Sequence, residues 1–181
     1  MIRAEDRRPP KPESRITTTI ALAMATFGGV GYVPFAPGTF GSAAGLLAWW
    51  LLGPSAVVQG TAIVVLFAGG VWSGGVCERH FGRTDPGHVV IDEAMGMLIT
   101  LFLNPVGWRG ALGAFLLFRI ADVIKPFPAD RLESLHGGVG VMADDGMAAV
   151  YANLALRVCL WLSDRLVIWS LIVRSASPMI K

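Results

Sequence analysis

The chain of 181 residues fits one domain, and its composition is unusually apolar: 54% of the side chains are hydrophobic, 15% are charged, and the mean hydropathy is +0.58. Soluble domains carry about 25% charged residues. These values exclude a disordered chain and a basic nucleic-acid binder, and they favour a protein in lipid, because so small a domain cannot bury this excess. The net charge of +2 indicates no particular partner.

The N-terminal segment, residues 1–15, carries five basic side chains and three prolines, which predicts a disordered basic arm. A cleaved signal peptide is the alternative. It is disfavoured because the apolar stretch that follows has no clear small-residue cleavage site and leads into a Gly/Pro-rich segment. We expect residues 16–175 to form a single membrane-embedded domain.

The next part of the chain has no Asp, Glu, Lys or Arg over 62 residues, from 16 to 77. A bilayer-spanning helix needs about 20 apolar residues, so this run can hold two spans and a connection. We predict a short helix over 17–27, a breaker-rich loop over 28–38, and helices over 40–52 and 55–76. The last of these is the clearest transmembrane candidate.

Beyond residue 77 the elements are separated by polar or breaker residues. Asp85-Pro86 has the pattern of an N-cap followed by proline in the first turn, which predicts a helix from 86 to about 103. Further predictions are a helix over about 107–125, an amphipathic piece over 127–135, a glycine loop over 136–140, and a last helix over about 144–173. The fold class is therefore all-α: a compact bundle of roughly five to seven helices, several membrane-embedded, with short re-entrant or amphipathic helices.

Acidic residues in apolar helices are the main candidates for function, because ionisable groups at membrane depth are costly. Such carboxylates suit hard cations such as Mg²⁺. Arg119, Asp122 and Lys125 recur every three residues and share one helix face. Two structural alternatives remain open: an ion pair between Arg119 and Asp122, and an N-cap role for Asp144 or Asp145. The candidate acids are Asp92, Glu93, Asp122, Asp144 and Asp145.

The segment from Pro37 to Ser42 is a glycine-rich loop at a helix start, where free N–H groups and the Thr39 hydroxyl could hold an anion. An equally weighted alternative makes Thr39 an N-cap and the glycines contacts for close helix packing. Cys77 and Arg83 have the C-x5-R spacing that is typical of cysteine-dependent phosphatases. An acid next to the thiol opposes thiolate formation, so we disfavour that interpretation.

Four segments, in this order, resemble the motifs of the phosphatidylglycerophosphatase A family. They are YVPFAPGTFGS at 32–42, VIDEAMGM at 90–97, FRIADVIKPFP at 118–128 and GGVGVMADD at 137–145. The resemblance covers roughly residues 28–152. One departure is His136, where proline is often expected before the glycines.

The resemblance implies a Mg²⁺-dependent enzyme that removes the terminal phosphate of phosphatidylglycerophosphate to give phosphatidylglycerol. It implies metal ligands at Asp92, Glu93, Asp122, Asp144 and Asp145, phosphate binding by Arg119, Lys125, Thr39 and Ser42, and catalytic roles for Asp92, Asp122, Asp145 and Lys125. A metal-bound water or an aspartate could attack phosphorus. The expected partners are a phospholipid substrate and the membrane, with no nucleic acid.

The implied location is the bacterial inner membrane. The charged intervals 1–15, 78–93 and 119–133 can lie on one side, and the positive-inside rule then makes the active site face the cytoplasm. The alternative function is a non-enzymatic transporter or channel that uses the same buried charges. A CDP-alcohol phosphotransferase is disfavoured, because the long aspartate-rich motif of those enzymes is absent.

Overall fold

The computed structural model describes residues 14–84, 86–132, 135 and 137–176, of which 166–176 are described as helical backbone. These residues form seven α-helices and one 3₁₀ turn, with no strand, which confirms the all-α prediction. The 3₁₀ turn is Val30–Tyr32. The helices are α1 Arg15–Ala25, α2 Pro37–Leu52, α3 Ala56–Phe81, α4 Ile91–Leu101, α5 Trp108–Ile124, α6 Ala129–Leu132 and α7 Gly138–Ala176.

Local capping explains where several helices begin and end. The Ser14 hydroxyl accepts a hydrogen bond from the Thr17 N–H and caps α1, so Arg15 belongs to this helix rather than to the arm. Ser55 caps α3 in the same way, and Gly82 ends it in the left-handed conformation. The rest of the predicted arm, residues 1–13, lies outside the described residues.

The start of α4 differs from the prediction. This helix begins at Ile91 rather than at residue 86, because the Val90 N–H donates to the carbonyl of Ala25 at the end of α1, 2.9 Å away. That tertiary bond holds the preceding segment outside the helix. Asp92 and Glu93 therefore lie in the first turn of α4. The predicted N-cap, Asp85, is outside the described residues.

The starts of α7 and α2 also correct the predictions. α7 begins at Gly138, where a Cβ would collide with the Val71 carbonyl of α3, so this glycine allows close packing. Asp144 and Asp145 consequently lie inside the helix, and the capping alternative for them is wrong. α2 begins at Pro37, so Thr39 is a first-turn residue and not an N-cap. Within the predicted piece over 127–135 the structure has α6 at Ala129–Leu132, and residues 133 and 134 lie outside the described residues.

The short helix α4 lies at the centre of the bundle, with nine of its 11 residues buried. A row of glycines on α2 allows its backbone to approach α4. A Cβ on Gly41 would lie 2.8 Å from the Val90 Cβ, and one on Gly45 would lie 2.5 Å from the Ala94 carbonyl oxygen. In lipid, where apolar burial drives helix association little, such close van der Waals packing holds helices together.

The far end of α4 is closed by an amide from α7. Asn153 Nδ2 donates to the carbonyls of Ile99, Thr100 and Phe102 at 2.9–3.0 Å. These are carbonyls that a helix end leaves without intrahelical partners. The amide therefore lets α4 end within the bundle.

The outer surface of the bundle is strongly apolar. α3 and the Gly138–Arg165 part of α7 are long and apolar enough to cross a membrane. In an apolar 18-residue stretch of each helix, only 17% and 22% of the residues are buried inside the protein. A core helix of a soluble protein would be mostly buried instead. Exposed side chains such as Val57, Val64 and Trp72 cover α3. These features are those of a membrane protein with two candidate spanning helices.

Candidate active site

Four helices bring their polar residues to one end of the bundle. The site lies at the first turn of α4, beside the first turn of α2, the last turns of α5 and the second turn of α7. The five acids that the sequence singles out all belong to these segments. The structure divides them into one cluster of three and two ion pairs.

The cluster of three consists of Asp92, Glu93 and Asp145, whose ligand oxygens all lie within 4.8 Å of one another. Asp92 and Asp145 are buried, and Glu93 is half-buried. Asp92 and Glu93 are neighbours on a helix, yet both reach the same point. We call this group the carboxylate triad.

The triad contains unsatisfied oxygen atoms. Among the described residues, Glu93 Oε2 and Asp145 Oδ2 are buried and have no hydrogen-bond partner. Burial raises the pKa of the Glu93 carboxyl above its ordinary value, and a hydrogen bond with Asp92 opposes this only in part. Buried carboxylates without partners are costly, so the triad has the properties of a cation-binding site.

The first ion pair joins Arg119 Nη1 to Asp122 Oδ2 at 2.6 Å, one helical turn apart on α5. The pair considered as a structural alternative is thus present, and it lies within the site. Arg119 Nη1 also donates to Ser42 Oγ at 3.4 Å, and the Ser42 hydroxyl donates to the Gly38 carbonyl. Ser42 is fully buried, so its contact is with Arg119 rather than with a ligand in solution.

The second ion pair joins Lys125 Nζ to Asp144 Oδ2 at 2.7 Å. Lys125 caps the end of α5 in the left-handed conformation, with φ of 46°, which is uncommon for a side chain other than glycine. Asp144 is outside the triad although Asp145 follows it directly. Of the five predicted metal ligands, three form the triad; Asp122 contacts Arg119 and also lies beside the triad member Asp145, and Asp144 contacts Lys125.

The sequence analysis gave close helix packing by the glycines of this segment as an alternative, but it did not place Gly38 against the triad. A Cβ at this position would collide with Glu93 Oε1 and lie 3.2 Å from Arg119 Nη1. Only glycine lets the first turn of α2 come this close to the triad. The repeat of Gly38, Gly41 and Gly45 on one helix face was the available signal. Thr39, the next residue, is half-buried in that turn.

The cysteine-phosphatase alternative is wrong, because Cys77 is buried within α3 and is not in a loop that could surround a phosphate. Glu78, beside it, accepts a hydrogen bond from the Gly137 N–H at 2.9 Å and holds the start of α7 against α3. His136 lies outside the described residues.

Comparison with known proteins agrees with this site. The profile of the phosphatidylglycerophosphatase A family matches residues 23–160. Proteins named phosphatidylglycerophosphatase A from Haemophilus influenzae and Escherichia coli are 35% and 36% identical, over 81% and 67% of this chain and 92% and 73% of theirs. A Bacteroides thetaiotaomicron protein with the provisional name of a phosphatidylinositol-3-phosphatase is 38% identical over 78% of this chain and 94% of its own. No solved structure matches the chain.

These names describe phosphatases, and they do not favour the transporter or channel alternative. The matched residues include all five acids of the site together with Arg119 and Lys125. The chain therefore belongs to the phosphatidylglycerophosphatase A family and is a phosphoric monoester hydrolase.

Proposed function

We propose that the protein is a Mg²⁺-dependent lipid phosphatase that hydrolyses the terminal phosphomonoester of phosphatidylglycerophosphate to phosphatidylglycerol and phosphate. The observation that carries this proposal is the carboxylate triad, with its unpartnered oxygens, next to Arg119 and Lys125. The names of the relatives from Haemophilus influenzae and Escherichia coli supply the substrate.

The donor set fits magnesium. Asp92, Glu93 and Asp145 offer only carboxylate oxygens, which hard divalent cations prefer, and no histidine or cysteine belongs to the group. A cation here would give Glu93 Oε2 and Asp145 Oδ2 the partner that they lack. When bound, the ion would supply positive charge that stabilises the reacting phosphoryl group.

The two basic residues bind and orient the substrate in this proposal. Arg119 has a planar fork of donors that suits two phosphate oxygens, and Asp122 and Ser42 hold the guanidinium in place. Lys125 neutralises charge that develops on the leaving oxygen, and Asp144 orients its ammonium group. Thr39 offers a further hydroxyl from the first turn of α2.

We also propose that the protein resides in the bacterial inner membrane with the site facing the cytoplasm. The charged segments 78–93 and 119–132 converge at the site end of the bundle, where Arg79, Arg83 and Arg131 are exposed. Basic residues favour the cytoplasmic side of a membrane. The substrate headgroup would therefore enter from the cytoplasmic leaflet.

Phosphate release from phosphatidylglycerophosphate by purified protein in detergent tests the enzymatic proposal. We expect release with Mg²⁺, loss of release in EDTA and recovery when Mg²⁺ is restored in excess. A Cys77→Ser variant is the matched control and should behave as the wild type, since Cys77 is buried in an apolar cluster and contributes no atom to the triad. Full activity in EDTA would overturn the metal proposal, and no release with Mg²⁺ would overturn the substrate assignment.

A further inference from the structure

An apolar groove runs between α2 and α5 on the outside of the bundle. Its cavity has a volume of about 620 Å³, and no charged side chain lines it. Its lining consists of aliphatic side chains, tryptophans, alanines and one glycine. The residues that matter here are Ala43, Leu47 and Trp50 of α2 and Trp108, Ala111 and Leu112 of α5.

The groove begins beside the phosphate-binding end of the site. Ala43 directly follows Ser42, whose hydroxyl accepts from Arg119 Nη1. From Arg119, α5 runs back to Trp108, which at 1.5 Å per residue is about 16 Å. Along α5 the lining ends at Leu112, about 10 Å of helix from Arg119, so the groove occupies the part of α2 and α5 beyond the site, and Ala43 is its lining residue next to the site. Trp50 and Trp108 lie at its far end, as tryptophans do at a membrane interface.

This combination matches one class of ligand. A cation at one end and apolar walls along the length complement an amphiphile with an anionic head and a hydrocarbon chain. A bilayer lipid whose phosphate is at Arg119 must extend its chains away from the site and into the hydrocarbon region. That is the direction of the groove.

We propose that the α2–α5 groove binds an acyl chain of the phospholipid substrate while the phosphate is held at Arg119. The inference rests on the proposed function and extends it to the part of the substrate that does not react. Contacts with a remote part of a substrate can orient its reacting group, so chain length should influence turnover.

A groove-filling variant tests the proposal. Ala43 is exposed, so Ala43→Trp should fold while it fills the groove. The matched control is Ala68→Trp, at an exposed position on the outer face of α3. Dioleoyl and dibutanoyl phosphatidylglycerophosphate are compared in the same detergent. We expect Ala43→Trp to lower the ratio of kcat/KM for the long over the short substrate about tenfold, and Ala68→Trp to preserve it.

A second measurement detects an acyl chain in the α2–α5 groove without requiring turnover. A non-hydrolysable phosphonate analogue with a photoreactive acyl chain should crosslink to residues 43–50 or 108–112, and excess glycerol phosphate should abolish the crosslink. A crosslink that survives this competitor would show bulk bilayer lipid in the groove. A crosslink between two chains would show a second copy there. Either result overturns the proposal.

The two proposals fail in different ways. If the wild type releases phosphate from neither substrate, the proposed function is wrong. If it hydrolyses both substrates and Ala43→Trp keeps the wild-type ratio, the function stands and the acyl-chain groove is wrong.

Discussion

Asp144 and Asp145 are adjacent in the chain, yet they face different partners. Side chains of neighbouring helical residues point about 100° apart, so one can reach the triad while the other reaches Lys125. The 2.7 Å contact between Lys125 and Asp144 occupies one Asp144 oxygen. Among the described residues, Asp144 Oδ1 and Asp145 Oδ2 are both buried and have no hydrogen-bond partner, but only Asp145 belongs to the carboxylate triad with Asp92 and Glu93. We therefore propose separable roles for the two acids: Asp145 as a metal ligand and Asp144 as a positioning residue for Lys125.

Asparagine substitutions separate these roles, because they keep the size and remove one charge. We expect Asp145→Asn to weaken Mn²⁺ binding, followed by electron paramagnetic resonance, and to lower phosphate release at least about 100-fold. Asp144→Asn should keep Mn²⁺ binding close to that of the wild type and lower turnover through Lys125. It should add nothing in a Lys125→Met background. Equal losses of Mn²⁺ affinity in both variants would instead make Asp144 a metal ligand.

At the scale of the elements, local signals in the sequence predicted the helices but not all of their ends. The apolar runs over 40–52 and 55–76 correspond to α2 and α3, because length and hydropathy suffice for such helices. The predicted start of α4 was wrong because a hydrogen bond from the Val90 N–H to the Ala25 carbonyl overrides the local cap pattern. The predicted start of α7 was wrong because glycines that are typical of a loop here allow close packing against α3.

The composition of the site was predictable, and its pairing was not. Charged residues are rare in this chain, so the acids and bases of the four motifs were conspicuous. Which of them touch depends on how α2, α5 and α7 approach α4, and no local pattern encodes that. Gly38 is the clearest case, because its effect arises only where α2 meets Glu93 and Arg119.

A pair of glycine-to-alanine substitutions tests the close approach of α2. Gly38→Ala should lower phosphate release strongly while the protein remains folded, because the new methyl group displaces Glu93 and Arg119. Gly113→Ala on α5 is the control, since its Cβ meets nothing within 4 Å. It should leave activity unchanged and stabilise α5 by about 0.5–1 kcal/mol. Thermal unfolding in detergent and phosphate release give the two measurements, and a fully active Gly38→Ala enzyme would contradict the argument.

The surface around the described bundle is apolar, and the charged segments around Arg83 and over 119–132 lie at the site end, while Arg109 and Arg157 lie toward the opposite end. α3 joins the two ends, because Arg83 follows it at the site end and Pro54 precedes it at the other. Its 26 residues correspond to about 39 Å, enough to cross the hydrocarbon core. The site therefore faces the cytoplasm if the Arg83 end of α3 lies on the cytoplasmic side of the membrane.

Single cysteines at the two ends of α3 decide that question. In a background with Cys77→Ala and Cys159→Ser, Arg83→Cys should react with an impermeant thiol reagent only after the cytoplasmic face is opened. Pro54→Cys should react in cells whose inner membrane is intact but whose outer face is accessible. The reversed labelling pattern would show that the site faces the outer side of the membrane. Labelling of both positions from one side would show that α3 does not cross the membrane.

The amide of Asn153 has a consequence for how the protein is made. The Ile99 and Thr100 carbonyls also accept from the Phe102 N–H and from Asn104 Nδ2, respectively. The Phe102 carbonyl, however, accepts from Asn153 and Arg157 of α7, so about 50 residues must be synthesised after α4 before this carbonyl has these partners. Asp145 arrives with the same helix. Inside a bilayer an unpartnered carbonyl is costly, so we expect the end of α4 to be fully hydrogen-bonded only after α7 has been inserted beside it. α7 thus completes both the end of α4 and the triad, and we expect a chain truncated before α7 to have no phosphatase activity.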